Sequence, residues 1–152
     1  INRDLEGEKP IFIAILNGSF MFAADLMKHV TIPCEITFVR IASYKGMNST
    51  NEVREVLGLK ESIKDRTIVI VEDIVDTGHT IEAIIKLLLN KGAHSVKVVT
   101  LLDKPSRREA NVKAEFIGFE IEDKFVIGFG LDFDERYRQL PYVGILKDEL
   151  YM

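Results

Sequence analysis

Hydrophobic positions along the chain fall into two kinds of run, and the two alternate. Ile11-Phe12-Ile13-Ala14-Ile15-Leu16 and Ile68-Val69-Ile70-Val71 are unbroken and largely β-branched, as expected of parallel strands buried on both faces. Each is followed by a polar turn and then by apolar residues at helical spacing. Asn17-Gly18-Ser19 precedes Phe20, Phe22, Ala23, Leu26, Met27 and Val30; Asp76-Thr77-Gly78-His79-Thr80 precedes Ile81, Ile84, Ile85, Leu87 and Leu88. The second helix is predicted to stop near Lys91-Gly92, where glycine can close it. Glu35 to Ser43 alternates as a strand, and Val53 to Leu59 reads as the returning arm of a hairpin. Between them, Tyr44 to Asn51 is polar and has no hydrophobic period. Ser95 to Leu102 is another parallel-type strand, Glu115 to Ile121 and Phe125 to Gly130 are aromatic strands, and Gly144-Ile145-Leu146 is a last short one. Strands alternating with helices predict an α/β fold with a mainly parallel central sheet, its ligands at the carboxyl ends of the strands.

The chemistry concentrates in Thr67 to Thr80, T-I-V-I-V-E-D-I-V-D-T-G-H-T. Strand, tight turn and helix point free backbone N–H groups and the positive end of a helix dipole at a bound anion. The Thr77 and Thr80 hydroxyls add two donors. Three acids at the rim, Glu72, Asp73 and Asp76, would repel a bare phosphate. They make sense for a ligand that also carries hydroxyls, such as a ribose diol, together with a divalent cation. The bland alternative is a strand end with solvated acids, and it leaves the Thr-Gly-x-Thr turn unexplained. Asn17-Gly18-Ser19 is a second possible anion site, or an ordinary turn with Ser19 near the helix N-cap. Three basic residues, Lys104, Arg107 and Arg108, follow the Ser95–Leu102 run and read either as anion or carbonyl recognition or as a solvated surface turn, which is the commoner case.

Composition narrows this only a little. A chain of 152 residues with 47% hydrophobic and 29% charged positions is expected to fold as one domain, spanning 1–152. A net charge of −4 and a pI near 5.4 argue against a general nucleic-acid or membrane-surface binder. The single cysteine, Cys34, permits no internal disulfide, so a reducing, cytoplasmic setting is expected. The chain begins at Ile1 rather than Met, and missing N-terminal sequence is expected on that ground. His29, His79 and His94 show no metal-ligand spacing.

V-E-D-I-V-D-T-G-H-T resembles the phosphoribosyl-diphosphate (PRPP) signature of the type I phosphoribosyltransferases: two acids, two hydrophobic residues, then an Asp/Thr-Gly-Thr loop. T-L-L-D-K-P-S-R-R-E, E-F-I-G-F-E-I, D-K-F-V-I-G-F-G-L-D-F and R-Y-R-Q-L-P-Y-V-G resemble the 6-oxopurine, hypoxanthine-using branch in bacteria. The resemblance implies the Rossmann-like type I fold, with a small hood and a flexible lid over about residues 44–58 that Ser43 and Tyr44 open. It implies a purine-salvage transferase taking PRPP and hypoxanthine, and guanine as well, to IMP or GMP and pyrophosphate, with Mg2+, as a homodimer or homotetramer. Glu72 and Asp73 then hold the ribose hydroxyls and help organise the metal, with Asp132 on the pyrophosphate side. Asp76, Thr77, Gly78, His79 and Thr80 cradle the 5-phosphate, and Asp76 acts as general base. Lys104 donates to the exocyclic oxygen of the base, Phe125 stacks on it, and the main chain at Val126 reads its far edge. Asn17 and Gly18, which follow a cis Leu16–Asn17 peptide, grip pyrophosphate with Arg138 and Arg108. Many relatives carry Lys or Arg at the position of Asn17.

Two rival readings remain at this stage. A regulator on the same fold would sense PRPP or nucleotide, but need not keep Asp76, Lys104, Phe125 and Asp132 together. A receiver-type signalling domain also places acids at strand ends, but gives no role to the Thr-Gly-His-Thr turn.

Overall fold

The computed structural model describes residues 1–44, 52–57, 59 and 62–151. Six strands, β1 (Ile11–Ile15), β2 (Glu35–Tyr44), β3 (Glu52–Leu57), β4 (Thr67–Val75), β5 (Ser95–Asp103) and β6 (Phe116–Glu120), form one sheet in the order β3-β2-β1-β4-β5-β6. All neighbours pair in parallel except β2 and β3, the expected hairpin. Of the expected lid segment, residues 45–51 and 58 lie outside the described residues. Ser43 and Tyr44 close β2, opposite Val53 and Glu52.

The unbroken apolar runs behave as double-sided strands should. Ile11, Ile13, Ile68 and Ile70 face helix α2 (His79–Asn90) and pack with its Ile81, Ile84 and Leu88. The alternate residues Phe12, Ala14, Val69 and Val71 face helix α1 (Phe20–Met27), with Ala23, Phe22 and Leu26. Each fully buried Ile or Val contributes about 1.5–3 kcal/mol, so β1 and β4 form a rigid base for the turns that follow them. Among the described residues no helix is long and apolar enough to cross a membrane.

Two sequence expectations change. Strand β4 runs on through Glu72 and Asp73 to Val75, because its pairing with β5 continues to Ile74↔Leu102 and Val75↔Asp103. The acids are therefore half-buried within the strand's last residues rather than beyond it. The expected strand from Phe125 to Gly130 shrinks to β7 (Val126–Ile127), paired antiparallel with β8 (Gly144–Ile145). Gly128, Phe129 and Gly130 all have positive φ, at 91°, 52° and 100°, and three such residues in a row turn the chain out of any ladder.

Candidate functional site

The N-terminus of α2 and the end of β4 enclose a cavity of about 210 Å³ lined by Glu72, Ile74, Val75, Asp76, Thr77, Gly78, Thr80 and Ile81. Gly78 holds the N-cap position at φ 89°, and no side chain caps the helix, so the first-turn N–H groups are open to an anion. A Cβ at Gly78 would lie 2.6 Å from Val112 Cγ2 and 3.0 Å from Arg108 Cδ; both conformation and space demand glycine. Behind the turn, Thr77 O accepts N–H groups from Glu109 at 2.9 Å and Ala110 at 3.1 Å. The His79 ring turns outward to Glu109, 2.7 Å away, which leaves its backbone as its part in the turn. A larger cavity of about 640 Å³ lies between β5–β6 and the β7–β8 ribbon. It is lined by apolar side chains such as Leu102, Phe119, Phe129 and Ile145, and by none of Glu72, Asp73, Asp76 or Lys104. Of these, Glu72 and Asp76 line the smaller cavity, whereas Val126 lines the larger.

Beside it, the Leu16–Asn17 peptide is cis, as the resemblance implied. Ser19 occupies the N-cap position of α1, yet its hydroxyl does not cap; it donates to Ile15 O at 2.6 Å and braces the turn. Asp73 lies directly over Gly18, where an added Cβ would meet its carboxylate. Gly130 abuts the Gly18 carbonyl oxygen in the same way, so the turn after β1, the end of β4 and the 128–131 turn meet with no room for a methyl group. Arg138 joins them, donating to Gly130 O at 2.7 Å and lying 3.5 Å from Asp132 Oδ2. Asn17, Gly18, Asp73, Asp132 and Arg138 are thus one group. Arg40 of β2 belongs to it too, since its Nη2 donates to Asn17 Oδ1 at 3.2 Å.

Burial, and then the Asp73 charge, holds the Glu72 carboxyl well above the usual carboxylate range. Asp73 is also raised, again mainly by burial, with its bond to the Ile74 N–H and the Arg138 charge pulling the other way. Among the described residues no group of three or more His, Cys, Asp or Glu forms a metal cage. Two half-buried acids with unfavourable charge, plus Asp132, nevertheless fit a hard cation that keeps its waters and takes further oxygens from a substrate.

Lys104 follows β5, is 8% exposed, and donates its backbone N–H to Val75 O at 3.0 Å. It therefore sits at the strand end next to Asp76, on the same rim. A chain of alternating charges links the two side chains. Arg107 Nε donates to Asp76 Oδ1 at 2.8 Å, Arg107 Nη1 lies 4.0 Å from Asp123 Oδ2, and Lys104 Nζ lies 3.6 Å from Asp123 Oδ1. Phe125 is 37% exposed; Tyr151 stacks on it at 4.8 Å and Phe133 meets it edge-on at 5.8 Å. Val126, in β7, adjoins it.

Arg108 departs from expectation. Its guanidinium donates to Asp103 Oδ1, to Val112 O at 3.0 Å and to Asp76 O at 3.2 Å. The structure sets it behind the turn at Thr77–Gly78, bonded to the protein itself, and not with Asn17, Gly18 and Arg138. Residue-level reading noted Arg107 only as one of the basic cluster of 104–108, and missed Arg40, Asp123, Gly130 and Tyr151, which nothing local marked.

A model of the phosphoribosyl transferase domain matches residues 1–134. The hypoxanthine-guanine phosphoribosyltransferase of Lactococcus lactis is 46% identical over 152 residues, covering 99% of this chain and 82% of that protein. The enzyme of the same name from Bacillus subtilis is 46% identical over 143 residues, covering 93% and 79%. A hypoxanthine phosphoribosyltransferase crystal structure from Staphylococcus aureus superposes with a TM-score of 0.88 at 41% identity, over 99% of this chain and 83% of that one. One from Trypanosoma cruzi, with its ternary substrates, gives 0.92 at 34% identity, over 99% and 87%. With an uncapped helix turn, paired acids and a buried lysine gathered on one rim of a parallel sheet, the chain belongs to the phosphoribosyl transferase domain family.

Proposed function

We propose that this protein is a cytoplasmic purine-salvage enzyme that moves the 5-phosphoribosyl group from PRPP to hypoxanthine, and to guanine, releasing pyrophosphate. The observation that carries the reading is the shared rim of Asp76 and Lys104 above the α2 cavity. The 5-phosphate is held by the backbone of Asp76 to Thr80 and the two threonine hydroxyls. Glu72 and Asp73 hold the ribose diol. The base lies against Phe125, and Lys104 donates to its exocyclic oxygen. An ammonium has no acceptor to offer an exocyclic amine, so adenine would leave a buried donor unmet and is rejected.

The C1–oxygen bond of PRPP breaks with oxocarbenium character, and a base nitrogen bonds to C1. Asp76 takes the proton from the imidazole edge through Oδ2, which Arg107 leaves open. Arg138 and the Asn17–Gly18 amides hold the departing pyrophosphate. Glu72, Asp73 and Asp132 would hold magnesium, which would supply charge stabilisation to that leaving group.

The test is a spectrophotometric assay with PRPP, magnesium and each purine in turn, for the natural protein and for Asp76→Asn. Hypoxanthine and guanine should react and adenine should not. Asp76→Asn should lower turnover roughly 10²- to 10⁴-fold with PRPP binding retained. No transfer by the natural protein refutes the activity; undiminished turnover by the variant removes Asp76 as the base.

A further inference from the structure

The pyrophosphate end of the site is rich in acids, with Glu72, Asp73 and Asp132 close by, and its own turn is neutral at Asn17. Arg138 is the cation that reaches it from the C-terminal side, and two of its contacts are to Asp132 and Glu135. A second cation comes from the neighbouring strand. Leu16 N–H donates to Val39 O at 2.9 Å, continuing the β1–β2 register past Ile15↔Val39. The next residue along β2 is Arg40, exposed, with Nη2 on Asn17 Oδ1. That bond uses one N–H of five, and among the described residues Arg40 forms no ion pair.

We propose that Arg40 is a pyrophosphate-binding residue of this protein, supplying from β2 the positive charge that the Asn17 turn does not carry. The inference rests on the reading of this turn as the pyrophosphate site. Register places Arg40 beside the turn. The Asn17 carboxamide holds the guanidinium there, while its remaining donors are available to phosphate oxygens in the planar, forked geometry that suits them. The same carboxamide accepts from Arg40 through its oxygen and keeps its own NH2 for the ligand. Asparagine is thus a coupling element in this turn, and Arg40 and Asn17 work as a pair.

The experiment compares the natural protein with Arg40→Ala, Arg40→Lys and the double variant Arg40→Ala/Asn17→Lys. Readouts are the KM for PRPP, inhibition by pyrophosphate, the KM for hypoxanthine, and Tm. Arg40→Ala should weaken PRPP and pyrophosphate roughly 5- to 20-fold, as expected for loss of a charge-assisted contact, with hypoxanthine KM and Tm unchanged. Arg40→Lys should recover part of the loss, and returning the charge to the turn with Asn17→Lys should recover most of it. Undiminished PRPP and pyrophosphate affinity in Arg40→Ala overturns the inference, as does an equal loss for hypoxanthine. If the natural protein transfers no phosphoribosyl group, the reading of the site itself has failed, and the two failures are told apart.

Discussion

Substituting Gly18 by alanine tests whether the site is assembled as tightly as the structure indicates. The new Cβ would fall on Asp73 Oδ2 and 2.7 Å from Asp73 Cγ, closer than any tolerated carbon contact. Either the turn shifts or the carboxylate rotates away. Asp73 Oδ1 accepts the Ile74 N–H at 2.8 Å, a bond to a charged group worth about 1.5–3 kcal/mol. Rotation would lose it, but would also return to water a carboxylate whose burial is unfavourable. The two effects oppose, so the net loss should be nearer 1–2 kcal/mol, or roughly 2–8 °C in Tm for a domain of this size. Function should suffer more than stability. Displacing an aligned group by about 1 Å costs on the order of 10²-fold in rate, here in kcat/KM for PRPP. Thermal denaturation and steady-state assay at varied PRPP measure both. A Gly18→Ala protein with natural Tm and natural PRPP kinetics would refute the reasoning, because the overlap would then have been absorbed without moving anything that matters.

Lys104→Ala should raise the KM for hypoxanthine far more than that for PRPP; equal losses in a steady-state assay would make Lys104 a phosphate contact instead. Glu72→Gln should trade activity for stability. Because burial raises the Glu72 carboxyl, the folded state binds its proton more tightly than the unfolded chain does. Its favourable contribution is complete below the unfolded value of about 4.3 and is lost as pH rises through the raised folded value. Without magnesium the variant should therefore melt higher than the natural protein at neutral and alkaline pH while turning over more slowly; an equal or lower Tm at pH 8 contradicts this. Arg108→Ala strands Asp103, 4% exposed, without its partner, and breaking a buried pair costs about 3–5 kcal/mol. A fall of roughly 6–20 °C in Tm is expected; selective loss of pyrophosphate affinity at unchanged Tm would return Arg108 to the ligand.

What could be read from the sequence is what depends on neighbours along the chain. Val69 to Thr80 encodes strand, acids, turn and helix within a dozen positions, so the turn that lines the α2 cavity and the place of Asp76 in it follow from local pattern. The β5 pattern places a basic turn level with the end of β4, but only the resemblance singles out Lys104 within it. Arg40 and Asn17 meet only through the β1–β2 register, and Arg107 and Asp123 only through the way the 103–108 and 121–125 segments fold back. No local pattern announces such contacts. Phe125 to Gly130 misled because its aromatics favour strand, whereas Gly128 and Gly130 turn the backbone. Arg108 misled because a guanidinium among basic neighbours suggests an external anion, until Asp103 is seen to neutralise it.

The order of parts along the chain divides the labour of the site. Everything proposed to hold the sugar phosphate lies between β4 and the start of α2, on the sheet's rigid middle. Everything proposed to choose the base, Lys104, Phe125 and Val126, hangs from β5 and the short β7–β8 ribbon at its margin. Change in that outer portion can retune which heterocycle is accepted while the donor grip stays intact. On the proposed assignment, one grip on the phosphoribosyl donor could be paired with new acceptors, by descent or by design.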